Sequence, residues 1–386
     1  MQEEETPRSL LLAALRGERR SRLPVAPLYL SLYFAPRIER LVAKAYEAKL
    51  KASRVGQIEV EFEEFVELNR LAMAEMAETH LQGCAWLPLR RNATRREIEG
   101  RHIRLQGEDL LWIEPDGTAR DMLRPPKPAN RDIWEAPEET RDRATWGKVP
   151  SASELLSSGE YLAAEGLAKR YKGTFALNGS MGAPFWLCYS KLGFGRLMTA
   201  VLEDPALVRD MAEFSLATVL EMVRAYKALG AEVIFIEECM ASADLISPRQ
   251  YEEFALPYEQ RLLQGIRDEG LLSVFYFCGD VMPLLPMMRE LPWDAFAAEE
   301  SKKGFEVEIG KVRQGLGQTR TLFANIAAVL VNDGSPEEIE AEARRQAEAA
   351  LPGPFVISIG SPFTLDTPVD RVQFFCRLGE RLGSIW

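Results

Sequence analysis

Histidine is nearly absent. The 386-residue chain holds two, His80 and His102. No multi-histidine metal site can form, and the second half of the chain has no imidazole for acid–base work. Long hydrophobic runs are missing too: nothing approaches the roughly 20 residues of a spanning helix. The opening Met1-Gln-Glu-Glu-Glu-Thr-Pro is acidic and has no apolar stretch, so no signal peptide is expected. Positive charge is in deficit, with 47 Lys and Arg against 58 Asp and Glu, a net −11. That speaks against nucleic acid, which needs a basic surface to displace counterions, and against a polybasic membrane anchor. The five cysteines (84, 188, 239, 278, 376) are odd in number and without paired spacing. A cytoplasmic protein with reduced thiols and no disulfide scaffold is expected. There is no GxxxxGK[ST] or GxSxG motif. Gly193-Phe-Gly195 lacks the last glycine of a dinucleotide fingerprint and does not follow a strand directly.

What is present is core material: 47% of residues are apolar and 27% charged. Eight short apolar runs recur, at Pro24–Leu30, Gly83–Leu89, Thr174–Asn178, Val233–Glu237, Ser273–Phe277, Asp294–Ala298, Thr321–Asn325 and Pro354–Ile359. They are continuous rather than alternating, as in strands covered on both faces of a parallel sheet. Helical patterns lie between them. Four open on a capping residue followed by proline: Asp204-Pro205, Ser247-Pro248, Ser335-Pro336 and Thr367-Pro368, with Glu338 completing a capping box. A helix over Glu59–His80 carries its apolar residues largely on one stripe. Alternation of this kind predicts an α/β chain, a (β/α)8 TIM barrel forming a single domain over 1–386.

About 80 residues separate the second and third runs, and they do not fit the alternation. Ile103–Leu105, Leu110–Glu114 and Thr118–Leu123 read as antiparallel strands turning at Pro115-Asp116-Gly117. We expect a β-ribbon insertion between strands 2 and 3, an excursion over 100–150 with too little apolar content for its own core.

Barrel enzymes place reactive groups at the C-terminal ends of strands. That rule selects Ser31 and Tyr33; Asn178 and Ser180; Glu237, Glu238 and Cys239; Cys278 and Asp280; Glu299, Glu300, Ser301 and Lys302; Asn325; and Ser361. Thiols beside carboxylates make a candidate divalent-metal site from Cys278, Cys239, Glu237 and Glu238. Crowded carboxyls raise one another's pKa, which makes Glu238 and Asp280 candidate proton donors. In an extended segment only one of Glu237 and Glu238 faces the axis, and the other is expected to pair with Lys302 or Lys303. Taken singly, Cys239 or Cys278 also reads as core filler, and Cys84, Cys188 and Cys376 read as packing. His80 is expected at a helix end and His102 on the ribbon.

From Asn178 onward the sequence resembles the uroporphyrinogen decarboxylase superfamily. The residues are Gly182-Ala-Pro-Phe-Trp-Leu-Cys-Tyr189 with Gly193, Asp204-Pro205, Leu229-Gly-Ala231, Ile246-Ser-Pro248 with Tyr251 and Phe254, and Pro257-Tyr258. Phe277-Cys-Gly279, Ala324-Asn-Ile326, Gly334-Ser-Pro-Glu-Glu338 and Asp366-Thr-Pro368 continue the order. The resemblance covers about half the chain and implies a (β/α)8 barrel. It implies either a cofactor-free decarboxylase of tetrapyrroles, or a methyltransferase that moves methyl groups between a corrinoid and an acceptor. The latter use zinc held by His-x-Cys-Gly and a distant Cys. Here Tyr276 stands at the His position, Cys278 is kept, and Ser361 stands at the later Cys position. A replacement ligand set is Cys278, Cys239 and Glu237 or Glu238.

By the same resemblance Tyr189 is the substrate-facing tyrosine. The arginine-rich loop of the decarboxylases is not evident, which leaves Arg37 and Arg40 as its stand-ins, and the family's late histidine is absent. An acidic mouth also repels an octacarboxylate, since two like charges at 4 Å cost about 1 kcal/mol in water and about 4 at an effective dielectric of 20. The expected reading is methyl transfer or demethylation of a small molecule, with Cys278, Tyr189, Asp280 and Glu238 catalytic. Tyr33, Arg37, Asn178, Tyr276, Asn325 and Ser361 would bind substrate. Zinc and a corrinoid on a partner protein are the implied cofactors, and a homodimer is in keeping with the superfamily. Decarboxylation of a tetrapyrrole or smaller acid is the alternative, and a non-catalytic small-molecule-binding barrel is the third reading.

Overall fold

The computed structural model describes residues 5–123, 142–302 and 304–383. Eleven strands are described: β1 (Gln57–Glu59), β2 (Trp86–Pro88), β3 (His102–Gln106), β4 (Asp109–Ile113), β5 (Ala119–Asp121), β6 (Ala176–Gly182), β7 (Val233–Glu238), β8 (Leu272–Phe277), β9 (Ala295–Ala298), β10 (Thr321–Phe323) and β11 (Phe355–Val356). Seven pair in parallel in the order β11-β10-β9-β8-β7-β6-β2. The residues around Val25 close the ring. Ala26 N donates to Ile357 O at 2.9 Å on one side, and Ala85 N donates to Val25 O at 2.8 Å on the other. The closed (β/α)8 barrel expected from the eight apolar runs is therefore the observed fold.

Continuous apolar runs form these strands because both faces are covered. Val233, Ile234, Phe235 and Ile236 are all at most 5% exposed. Close approach of the outer helices needs small residues. A Cβ at Gly179 would run into the ring of Tyr226 from the helix Pro205–Leu229. The caps behave as their chemistry predicts at three of four helices. Ser247 and Ser335 complete capping boxes with Gln250 and Glu338, and the Asp204 carboxylate accepts from Leu207 N. At the fourth, Pro368 itself occupies the cap of Val369–Cys376, and the Thr367 hydroxyl pairs with Thr364 instead. The helix expected over Glu59–His80 begins at Phe62, because Glu59 ends β1.

The first run departs most. It is extended only as far as its contacts around Val25. Tyr29 then takes a left-handed conformation (φ 55°) and the helix Leu30–Ser53 begins. Residues expected just beyond a strand end are therefore helical, which redirects Tyr33 and Arg37. The three predicted ribbon strands are present as β3, β4 and β5, antiparallel, and they add β1 to make a sheet of order β1-β3-β4-β5. Gly117, at φ 88°, makes the turn that closes with Glu114 N donating to Thr118 O. Ile103, Leu110 and Trp112 of this sheet, with Met122 just beyond β5, belong to the same buried cluster as the barrel. The remainder of the 100–150 excursion, 124–141, lies outside the described residues.

Arg313 is a buried structural cation. Its guanidinium donates to the carbonyls of Ala350 (2.7 Å), Pro354 (2.9 Å) and Gly317 (3.2 Å), and also to Arg320 O. It thus fastens the turns that lead into β10 and β11. Arg313→Met keeps the volume but strands these acceptors. We expect urea unfolding to show a loss of about 3 kcal/mol or more, since each buried acceptor left unpaired costs about 1–3 kcal/mol.

Candidate active site at the barrel mouth

The parallel ladder of β7 and β8 builds the site. Glu238 is the register partner of Phe277, so the next pair along the two strands is Cys239 and Cys278. Their Cα atoms are 4.6 Å apart and the two sulfurs are joined. This corrects the expectation of five reduced thiols. Register brings together two cysteines 39 positions apart, which spacing alone does not reveal. Cys84, Cys188 and Cys376 are free and buried, in keeping with packing roles.

Glu237 completes the group. Its carboxylate oxygen and the two sulfurs lie within 4.8 Å of one another. Tyr29 Oη donates to Glu237 Oε1 at 2.9 Å and lies 3.9 Å from Cys278 Sγ, while Cys239 Sγ is 3.2 Å from Glu237 Oε1. Burial pushes the Glu237 carboxyl above its ordinary value, and the Tyr29 hydrogen bond works in the opposite direction. Burial likewise drives the Tyr29 phenol well up, so it stays a neutral donor. A cavity of about 90 Å³ opens beside this group, lined by Tyr29, Ser31, Trp86, Asn178, Ser180 and Phe235 among others. Among the described residues, Glu237 is its one charged lining residue.

Strand alternation decides the two acids, as expected, and gives Glu237 to the mouth. Glu238 points the other way. It accepts from Met240 N (2.8 Å) and Trp186 N (3.2 Å) beside the start of the helix Pro184–Leu192. Burial is the main cause of its raised pKa. It is a buried structural acid, not a mouth ligand, and it does not pair with Lys302. That lysine bridges Glu299 (2.6 Å), Glu300 (3.6 Å) and the Ser361 hydroxyl (2.8 Å). Lys303 lies outside the described residues.

Other expected residues are placed differently. Tyr33 is fully buried, edge-on to His80 and Phe363, with the Arg37 guanidinium 3.7 Å from its ring. Arg37 donates to the carbonyls of Tyr33, Leu365 and Thr367, so its donors hold the loop after β11. Asp280 caps its own turn through Met282 N. Asn325 donates to Glu299 O and Val307 O, and Ser361 donates to Glu300 Oε2 at 2.5 Å. Tyr189 packs against Trp186 and does not line the cavity. Tyr276 donates to Gly360 O at 2.7 Å, with its ring edge-on to Tyr29. Of the six expected substrate contacts, Asn178 alone lines the cavity. Tyr29, Trp86 and Phe235 were not among the sequence-based candidates. Tyr29 carried one signal, its place at the end of the first apolar run.

The donor set fits a thiophilic cation. Two sulfurs and a carboxylate around one point are a zinc-type set, and Tyr29 is the outer hydrogen-bond partner such carboxylate ligands use. Both cysteines must be reduced to serve.

The fold and site define a barrel of a known kind. The profile of the uroporphyrinogen decarboxylase (URO-D) family matches residues 141–382, more than half of the chain. The chain belongs to the uroporphyrinogen decarboxylase family. It is 25% identical over 272 residues to a methylated-thiol–coenzyme M methyltransferase of Methanosarcina mazei, covering 70% of this chain and 67% of that protein. It is 29% identical over 212 residues to the methylcobamide:CoM methyltransferase MtbA of the same organism, 54% of this chain and 58% of that one. It is also 25% identical over 299 residues to a uroporphyrinogen decarboxylase of Geobacter sp., 73% and 84%. Among solved structures, a methyltransferase from Methanosarcina mazei aligns over 98% of this chain and 99% of its own, with a TM-score of 0.66 at 20% identity. No helix among the described residues is long and apolar enough to cross a membrane.

The two histidines sit where expected, His80 ending the helix Phe62–His80 and His102 opening β3. Burial, and after it the nearby Arg37, holds His80 below 6.5, against the opposing hydrogen bond to Met76 O. A folded-state pKa depressed in this way keeps the ring neutral while the unfolded chain takes up a proton. Stability is therefore lost as pH falls through 6.5. Urea midpoints at pH 7.5 and 5.5 should differ less for His80→Gln than for the unchanged protein. An equal difference in the two would count against this assignment.

Proposed function

We propose that the chain is a methyl-transfer or demethylation enzyme for a small molecule, its methyl group exchanged with a corrinoid on a partner protein. The observation that carries this reading is the convergence of Glu237, Cys239 and Cys278 within 4.8 Å at the ends of β7 and β8. The names of two relatives, both thiol or corrinoid methyltransferases, support it.

Glu237, Cys239 and Cys278 would hold a zinc ion. When bound, that ion supplies Lewis acidity that lowers the pKa of a thiol or activates a poor methyl leaving group. Tyr29 fixes the Glu237 carboxylate by its 2.9 Å hydrogen bond. Trp86, Phe235 and Pro88 give the cavity beside the group an apolar wall against which a small apolar substrate can pack. The amide of Asn178, 3% exposed, offers a donor and an acceptor to orient the polar end of a substrate.

The decarboxylase alternative, suggested by the Geobacter relative, meets two obstacles. The mouth cavity of about 90 Å³ is well below the ~300–1,000 Å³ of sites for drug-sized ligands, and a tetrapyrrole is larger still. Among the described residues, no arginine or lysine lines that cavity to receive propionate or acetate groups.

Reduced protein is expected to bind one zinc per chain. Cys239→Ser and Cys278→Ser should each weaken it by more than ~100-fold, and Tyr29→Phe, as an outer partner, by ~10–100-fold. Metal analysis after equilibrium dialysis would read this. The zinc-loaded protein should demethylate methylcobalamin in the presence of coenzyme M, followed by corrinoid absorbance, and the two Ser variants should not. Absence of zinc together with full turnover by Cys278→Ser would overturn the proposal. Loss of carboxylates from added uroporphyrinogen would move the assignment to the lyase branch. Saturable binding without turnover of either kind would favour a non-catalytic barrel.

A further inference from the structure

A second cavity, of about 330 Å³, lies beside the mouth. The helix Leu30–Ser53 lines both. Its first residues, Leu30 to Leu32, face the mouth, and Ala35, Ile38 and Val42 face the second cavity. The other shared border is the end of β2, where Pro88 belongs to the mouth and Arg90 to the second cavity. The far wall is the antiparallel sheet, through Trp112 and the adjoining Met122, with the Phe65 ring tilted at 57° to that of Trp112 and their centroids 5.9 Å apart.

Three arginines and three glutamates line this cavity, and their pairings leave one cation over. Arg120 pairs with Glu39, and Arg101 pairs with Glu114 at 2.8 Å. Glu97 is held by the backbone and hydroxyl of Thr94, at 2.7 and 2.8 Å. Arg90 is half-buried and makes no ion pair among the described residues. Burial holds its guanidinium below the usual value. A charge withdrawn from water without a partner is costly, and an incoming anion relieves that cost. Guanidinium also matches a carboxylate geometrically, through two parallel N–H donors. Apart from Asn69, whose amide donates to Phe65 O, the remaining lining is apolar and aromatic, and the volume lies within the range of small-ligand sites.

We propose that this cavity binds a small acid with a flat apolar body, an aryl carboxylate, whose carboxylate is received by Arg90 and whose ring lies against Trp112 and Phe65. The site is separate from the thiol–carboxylate group of the mouth, and its occupancy is measured without turnover or metal.

The probe is 2-naphthoate, titrated calorimetrically into the reduced full-length chain without metal, with neutral 2-naphthamide as the comparison. One naphthoate is expected per chain, with a dissociation constant below ~1 mM. The amide should bind at least ~10-fold more weakly, because it lacks the charge that Arg90 would pair. Arg90→Met should weaken naphthoate at least ~10-fold and leave the amide nearly unchanged, and Trp112→Leu should weaken both. Cys278→Ser should leave naphthoate binding as it was. The proposal is overturned by absence of binding up to ~10 mM, or by equal affinity for acid and amide. It is also overturned if Arg90→Met binds naphthoate normally, or if Cys278→Ser weakens it, which would put the ligand in the mouth. The acid-against-amide comparison uses the unaltered protein, so the test stands even where a variant fails to fold.

Discussion

The register between β7 and β8 is the constraint on which the site depends. With Glu238 opposite Phe277, the chain must set Cys239 beside Cys278 and turn Glu237 inward. A slip of one residue would reverse every side chain of β7, sending Glu237 into the helix layer and Glu238 into the mouth. The register is protected because both faces of the strand are packed. Phe235 meets Tyr29, Trp86 and Tyr276 inside the barrel, while Val233 and Ile234 are fully buried. The hydrophobic core and the candidate chemistry are thus fixed by the same ladder.

The two adjacent acids show how one strand supplies opposite electrostatic tasks. Glu237 meets a phenol, two sulfurs and a cavity. Glu238 meets backbone N–H groups near the start of the Pro184–Leu192 helix, where a carboxyl group satisfies donors the helix leaves open. Behind it the buried Glu259 shares a hydrogen bond with Tyr251. Burial raises the pKa of both glutamates. The second acid contributes to the position of the helix carrying Tyr189 rather than to the mouth itself.

The barrel was legible in the sequence because strands covered on both faces must be continuously apolar, and eight such runs stand out between capped helices. Even the ribbon strands could be read, since Pro115-Asp116-Gly117 demands a turn. The mouth was legible in part. Strand-end logic found Glu237, Cys239, Cys278 and Asn178, but periodicity cannot say that the first strand stops after Val25. That early stop moved Tyr33 into the core and Arg37 onto the loop carbonyls, and it brought Tyr29 into the site. Asn325, Tyr276 and Ser361 were located at the correct end of the barrel, yet backbone carbonyls and Glu300 claim their polar atoms. Those partners come from distant loops and leave no local trace in the chain.

The left-handed backbone of Tyr29 has a consequence for how this protein can change. A non-glycine residue in that conformation is strained by about 1–2 kcal/mol, and glycine or asparagine would relieve it. Either exchange removes the phenol that steadies Glu237. Either exchange would also empty the space that its buried ring fills against Phe235 and Tyr276, and truncating a packed aromatic costs about 3–5 kcal/mol, more than the strain relieved. Packing and the ordered carboxylate therefore favour the same residue, and the strained backbone should persist even in a laboratory lineage evolved only for heat resistance.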